Sequence, residues 1–311
     1  MKQQSKTICS SVTDDLTLLH LPAMRREFER EAERARVEAH GFEQYLLTLA
    51  EHEIASRSEN RIARLLKESR LPLEKTLEMF EAKRLPRRIS LQLPTLVEGT
   101  FVDRKENLLA FGNPGSGKTH LVCAIGHELI RRGRSVLFTP ASHLIQDLLR
   151  AKRDLKLERI LKSLRKYSAL IVDDIGYVQH DRNEMEVLFA LLADRYERGS
   201  IVLTSNLPFS RWEEIFKDPM TTAAAIDRLV HHSVILELNV GSYRLEQAQQ
   251  ASQTARTVDQ PEKTTTTKEN GERPGDSTAA TPFGLRPHSV TAVPEMSRKE
   301  DKSMKTRKNK K

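Results

Sequence analysis

Two cysteines, one tryptophan and no apolar run near the ~20 residues of a membrane helix are what this 311-residue chain most obviously lacks. Cys9 and Cys123 lie far apart and fit no metal-ligand spacing. Cys123 sits in an apolar helical run and reads as a small buried hydrophobe in a reducing compartment. The first residues, MKQQSKTICSSVTDD, are polar and lack the apolar core of a secretory signal. These absences predict a soluble cytoplasmic protein with no membrane partner. What is present is a basic surplus: 51 Lys and Arg against 43 Asp and Glu, a formal charge of +8. That surplus suits an anionic partner, but its placement matters more than its sum.

Length leaves room for one sizeable core and a smaller module. Residues 14–84 are rich in Leu, Ala, Glu and Arg with helical spacing, as at Phe42, Tyr45, Leu46 and Leu49 and again at Ile62, Leu65 and Leu66. Leu71-Pro72 and Leu85-Pro86 end helical runs, because the residue before proline is pushed out of the α region. The expectation is an all-helical N-terminal domain over 1–90 that binds DNA or a partner, with a link near 85–104. The pattern then changes. LLAFG (108–112), SVLFT (135–139), ALIVD (169–173), SIVLT (200–204) and SVILEL (233–238) look like strands buried on both faces. Helical segments near 118–132, 142–166, 184–198 and 211–231 separate them. This alternation predicts an α/β domain over 91–250 with a parallel sheet covered on both sides. From residue 251 the chain is polar and rich in Thr, Gly and Pro, and is expected to be a disordered basic tail to residue 311. Its last stretch, RKEDKSMKTRKNKK, has eight basic residues against two acids. It reads as a solvated tail or as an arm that touches nucleic acid.

GNPGSGKT (112–119) fits the phosphate-loop pattern G-x-x-x-x-G-K-[ST] between a strand and a helix. Gly112, Asn113, Pro114, Gly115, Ser116, Gly117, Lys118 and Thr119, with His120 after them, are the candidate nucleotide contacts. Glycines let the backbone N–H groups turn toward phosphate oxygens, and the helix N-terminus adds its dipole. Lys118 is the point charge for the β- and γ-phosphates, and Thr119 is a Mg²⁺ ligand. The loop alone does not separate an ATPase from a small-molecule kinase; no second substrate-binding pattern supports a kinase. IVDDIGY (171–177) carries Asp173 to the sheet edge, where it can hold a magnesium-bound water. Asp174 then faces the attacking water, or is a turn residue before Gly176. Asn206, at the end of SIVLTSN, either hydrogen-bonds that water or closes a turn before Leu207-Pro208. Spacing alone makes Arg228 and Arg244 ordinary surface arginines, and puts His231 and His232 on different helix faces. Residues 150–166, RAKRDLKLERILKSLRK, carry eight Lys or Arg against two acids, with a stripe of Leu155, Leu157, Ile160, Leu161 and Leu164. The segment is either a solvated helix face or a phosphate-backbone contact.

The phosphate loop, IVDDIGY, LTSNLPFSRW, DPMTTAAAIDRLVHHSVILEL and SYRL together resemble the IstB family, helper ATPases of bacterial insertion sequences. RSENRIARLLKESRLP resembles the same family's helical domain. The resemblance covers residues 14–248 and is similar to the DnaC and DnaA branch of AAA+ ATPases. It implies an AAA+ P-loop fold with a five-stranded parallel sheet, and ATP and Mg²⁺ bound between neighbouring subunits of a homo-oligomer. It implies that Asn206 is the first sensor, Arg228 an arginine finger acting on the next subunit and Arg244 a second sensor in its own. The 142–166 region becomes the counterpart of an extra helix that touches double-stranded DNA. Asp174 takes a catalytic position that many relatives fill with glutamate. The implied function is an ATP-dependent DNA-binding oligomer that selects or remodels target DNA and recruits or stimulates a transposase. The other reading is a DnaC-like loader of a replicative helicase. The tail has no counterpart in the family pattern.

Overall fold

A computed structural model describes residues 2–176, 182–212, 219–243 and 245–246. All lie in Met1–Asp259, the larger of two units into which the chain divides. The basic tail after residue 251, read above as disordered, lies outside the described residues.

The five apolar runs form strands β1 (Asn107–Gly112), β2 (Val136–Pro140), β3 (Ala169–Asp173), β4 (Ser200–Ser205) and β5 (Ser233–Leu238). They pair in parallel in the order β2-β3-β4-β1-β5. Side chains alternate between two cores. Leu109, Phe111, Leu170, Val172 and Leu203 face one, while Leu108, Ala110, Ile171 and Val202 face the other. Both sides are apolar because both are covered, which is why these strands read as continuous hydrophobic runs.

The first core is closed by α7 (Ala141–Arg153), α8 (Leu157–Leu164), α9 (Arg182–Arg195) and α10 (Pro219–Val230). Trp212 is fully buried there and its indole N–H donates to the Leu207 carbonyl at 3.0 Å. The second core is closed by α6 (Lys118–Arg131), α4 (Arg87–Glu98), α5 (Thr100–Asp103) and the end of α3 (Phe42–Ser69). Cys123 is fully buried in it, and desolvation pushes its thiol up to about 12, so it stays protonated. The expected link at 85–104 is therefore helical and part of the core: Ile89, Leu96, Phe101 and Val102 are buried against the sheet.

Two further expectations fail locally. Residues 71–81 are turns rather than helix, held to α6 by His127 Nε2 on the Pro72 carbonyl (2.9 Å) and His120 Nε2 on the Thr76 carbonyl (3.0 Å). The single helix expected over 142–166 is two helices. Leu155 interrupts it with φ +58°, while its N–H donates to the Lys152 carbonyl (3.1 Å) and that of Lys156 to the Ala151 carbonyl (2.7 Å). This pair of bonds satisfies the last carbonyls of α7 in a Schellman turn, with a leucine where glycine is usual at a cost of roughly 1 kcal/mol. Leu155 leaves the apolar stripe and points to solvent, while Leu161 and Leu164 are buried.

At the N-terminal end, α1 (Lys2–Leu18) precedes α2 (Pro22–Val37), which packs on the first half of α3. The period read at Phe42, Leu46 and Leu49 is helical, yet only Leu49 is buried. Glu53 of α3 caps α2 from a distance, accepting the N–H groups of Ala23 (2.8 Å) and Met24 (3.2 Å) while pairing with Arg57 (2.9 Å). Burial raises the pKa of this carboxyl, but Arg57 and the two N–H groups outweigh it and hold the pKa below the ordinary value.

Arg195, 2% exposed, joins α9 to the sheet by donating to the carbonyls of Leu164 (3.0 Å), Tyr167 (3.0 Å) and Ser200 (3.1 Å). Its pKa is pulled down to about 10 by desolvation, with Asp194 partly offsetting this, so it remains charged at neutral pH. Arg195→Ala is expected to lower unfolding free energy by about 3 kcal/mol in urea titrations, because three buried carbonyls lose a charged donor. Glu53→Gln is expected to cost about 1–2 kcal/mol at pH 7. Because the folded pKa is depressed, the wild-type advantage is present above the unfolded value of ~4.3 and fades as pH falls through the folded one. Denaturation of both proteins from pH 7 to 3 measures that convergence.

Candidate functional site

The turn between β1 and α6 is the phosphate loop, and its backbone requires glycine at two positions. Gly115 and Gly117 take φ +81° and +91°, and a Cβ on Gly115 would lie 2.2 Å from the Ser242 hydroxyl. Lys118, 5% exposed, is folded into the loop, its ammonium donating to the carbonyls of Gly112 (2.8 Å) and Asn113 (3.0 Å). The Ser116 hydroxyl is buried with no hydrogen-bond partner among the described residues. An orphaned hydroxyl, a caged ammonium and a helix N-terminus at one spot suit a polyphosphate.

Beside the loop, Asp173 Oδ1 accepts two hydroxyls, Thr119 of α6 at 2.9 Å and Thr204 of β4 at 2.6 Å. The N–H of Asp174 donates to the same Thr204 oxygen at 2.8 Å. Asp174 is exposed at the end of β3 with φ +62°. Left-handed backbone is disfavoured for most side chains but several-fold enriched in Asp and Asn. Asp174 is thus a turn residue, as one of the two sequence readings has it, and it lines the cavity beside the loop. Thr204 was missed, although its place at the carboxyl end of a buried strand next to Asp173 was a usable signal.

Lys118, Thr119, His120 and Asp174 share a cavity of about 280 Å³ with Pro114, Gly115, Ser116 and Gly117. Its far wall comes from outside the α/β pattern. Met79, Phe80, Arg84 and Leu85 line one side, Val240, Gly241 and Tyr243 the other. Phe80 meets the His120 ring edge-on with centroids 5.1 Å apart. Arg84 lies over the Tyr243 ring at 5.0 Å and pairs with Glu246 at 2.7 Å, while the Tyr243 N–H donates to the Gly115 carbonyl at 3.0 Å. The cavity is apolar and aromatic at one end and phosphate-binding at the other, which fits a nucleoside triphosphate. Sequence reading missed this wall because residues 71–85 were assigned to helix; Met79 and Phe80 between two Leu-Pro breaks were the overlooked clue.

The remaining predicted residues are dispersed. Asn206 follows β4 at the same sheet edge but does not line the cavity. Its Oδ1 is buried without a partner among the described residues, against Gly176, where an added Cβ would lie 2.2 Å away. Arg228, near the end of α10, stands at the opposite edge of the sheet. The Asn107 side-chain amide, at the start of β1, donates to the Leu229 carbonyl at 3.0 Å, and the Arg228 guanidinium stacks on Phe189 at 4.4 Å. The length of β1, about 17 Å at ~3.3 Å per residue, separates it from its own phosphate loop. Arg244 lies outside the described residues. Among the described residues no three His, Cys, Asp or Glu side chains cluster as metal ligands, and no helix is long and apolar enough to cross a membrane.

A parallel sheet in the order 2-3-4-1-5, with a phosphate loop after β1 and paired aspartates after β3, defines an ATP-binding protein of the AAA+ P-loop class. The chain belongs to the IstB-like ATP binding protein family, whose pattern matches residues 14–251. It is 44% identical to a putative insertion sequence ATP-binding protein of Sinorhizobium fredii over 75% of this chain and 78% of that protein. It is also 40% identical to the IS5376 putative ATP-binding protein of Geobacillus stearothermophilus, over 74% of this chain and 91% of that one. Among solved structures, the DnaC helicase loader aligns with a TM-score of 0.45 at 19% identity, covering 53% of this chain and 97% of that one.

Lys118→Ala is expected to weaken binding of a fluorescent ATP analogue by at least tenfold without loss of helical signal, since the removed ammonium lies in the phosphate loop rather than in a core. Wild-type affinity in this variant, measured by anisotropy, would contradict the assignment of the cavity.

Proposed function

We propose that this protein is an ATP-dependent, DNA-binding oligomeric ATPase. In this reading it assists transposition by selecting or remodelling target DNA and by recruiting or stimulating a transposase. The observation that carries the ATPase reading is the joining of Lys118, Thr119 and Asp174 in one cavity, with Asp173 hydrogen-bonded to Thr119 beside it. Thr119 and Asp173 would hold Mg²⁺, which would supply positive charge to the phosphate oxygens. Both hydroxyl bonds use Asp173 Oδ1, so the other carboxylate oxygen would be the one offered to the cation. Asp174 orients or deprotonates the attacking water, and Asn206 turns its amide toward it when the site closes.

Arg228, at the far edge of its own sheet, serves the neighbouring subunit's γ-phosphate, so ATP binding closes an intersubunit joint. Arg244 serves its own site. The hairpin of α7 and α8 meets double-stranded DNA. Arg153, Arg159 and Lys162 are exposed there and make no ion pair among the described residues. An excess of free cations on a rigid support suits a phosphate backbone. Support for the insertion-sequence setting is the identity of 44% and 40% to proteins named for it.

Asp174 is one methylene shorter than glutamate, which favours slow hydrolysis raised by DNA or partner. The expected result is ATP turnover that rises at least several-fold on adding duplex DNA. Lys118→Ala is expected to lose ATP-dependent assembly on DNA, and Asp174→Ala to assemble but release slowly. Turnover and electron microscopy read these outcomes together; a monomer unresponsive to DNA would overturn the proposal.

A further inference from the structure

Leu155 is 95% exposed, the highest value among the described large hydrophobic residues. It also holds the left-handed backbone position of the turn between α7 and α8, φ +58°, where glycine would sit without strain. A leucine here is unfavourable twice, once for the backbone and once for the apolar surface left in water, and it gains little packing among the described residues. The support beneath it is rigid. Leu144, Ile145 and Leu148 of α7 and Leu161 and Leu164 of α8 are buried in the core, and the two turn hydrogen bonds fix the tip. Around the tip stand exposed Arg153, Lys156 and Arg159; Lys156 pairs with Asp154 at 3.7 Å, while the two arginines carry no ion pair among the described residues.

An apolar side chain seeking burial, set among cations seeking phosphate, matches duplex DNA, which carries stacked bases inside and phosphates outside. The minor groove is about 6 Å wide and admits a single side chain from a tight turn more readily than a helix. We propose that Leu155 is a wedge, inserted between adjacent base pairs of DNA held by the α7–α8 hairpin, unstacking that step and bending the duplex. The proposal rests on the DNA-binding reading above and adds a deformation to it. Wedges of this kind trade unstacking energy for a bent duplex that touches more protein, so removing one alters DNA shape more than affinity. Flexible pyrimidine–purine steps are the sites where the insertion is easiest.

The test uses the full-length protein with a non-hydrolysable ATP analogue and a duplex carrying end-attached dyes and 2-aminopurine at its TA and CA steps. Wild type is expected to shorten the dye separation and to raise 2-aminopurine emission several-fold. Leu155→Gly, which suits the left-handed turn and should melt no lower than wild type, is expected to bind within about threefold of wild-type Kd. It should keep the same salt slope and lose both the bend and the emission rise; Leu155→Phe should keep them. Equal bending and emission in Leu155→Gly would overturn the wedge while leaving DNA binding intact. Failure of the wild type to bind the duplex at low salt would overturn the wedge and the DNA-binding reading together.

Discussion

The carboxylate of Asp173 receives hydroxyls from α6 and β4 on one oxygen, so the end of β3 is tied to both of its functional neighbours. This junction sets the spacing between the phosphate loop and the two aspartates. It depends on the sheet: only parallel strands with a common carboxyl edge bring Gly112, Asp173 and Thr204 side by side. The two cores clamp that sheet from either face, and Asn107 fixes the other edge through β4 and α10. Where these constraints meet, the chain turns left-handed at Asp174, while the strands themselves are regular and buried.

The α/β part was legible because its signals are redundant. Five apolar β-branched runs, a glycine loop and a helix start all demand one arrangement, and the strands fall within a residue of where the sequence puts them. The position of Asp173 was readable for the same reason: it ends the buried run ALIVD. The segment at 71–85 was not legible, because its contacts are to α6 and to Tyr243 and Glu246, far away in sequence. Without His120 and His127 holding its carbonyls, its composition is that of a frayed helix. Leu155 misled through periodicity. A leucine at the right spacing counts toward a stripe, and nothing in the sequence marks a left-handed turn when the residue is not glycine.

Asp174 shows how a backbone constraint can choose a side chain. A left-handed residue at the end of β3 suits aspartate, whose short side chain tolerates that conformation, and places its carboxylate at the cavity mouth. The second aspartate of the pair thus has a geometric reason independent of its chemistry.

The clasp of Arg84, Tyr243 and the Gly115 carbonyl gives the cavity an unusual chain geography. One wall is made near residue 80 and its counterpart near residue 243, with the phosphate loop between them. During synthesis, the chain emerging from the ribosome would hold the loop, both aspartates and the N-terminal wall long before the site had its last side. The lining of the cavity is thereby complete only once the chain has been made through Tyr243.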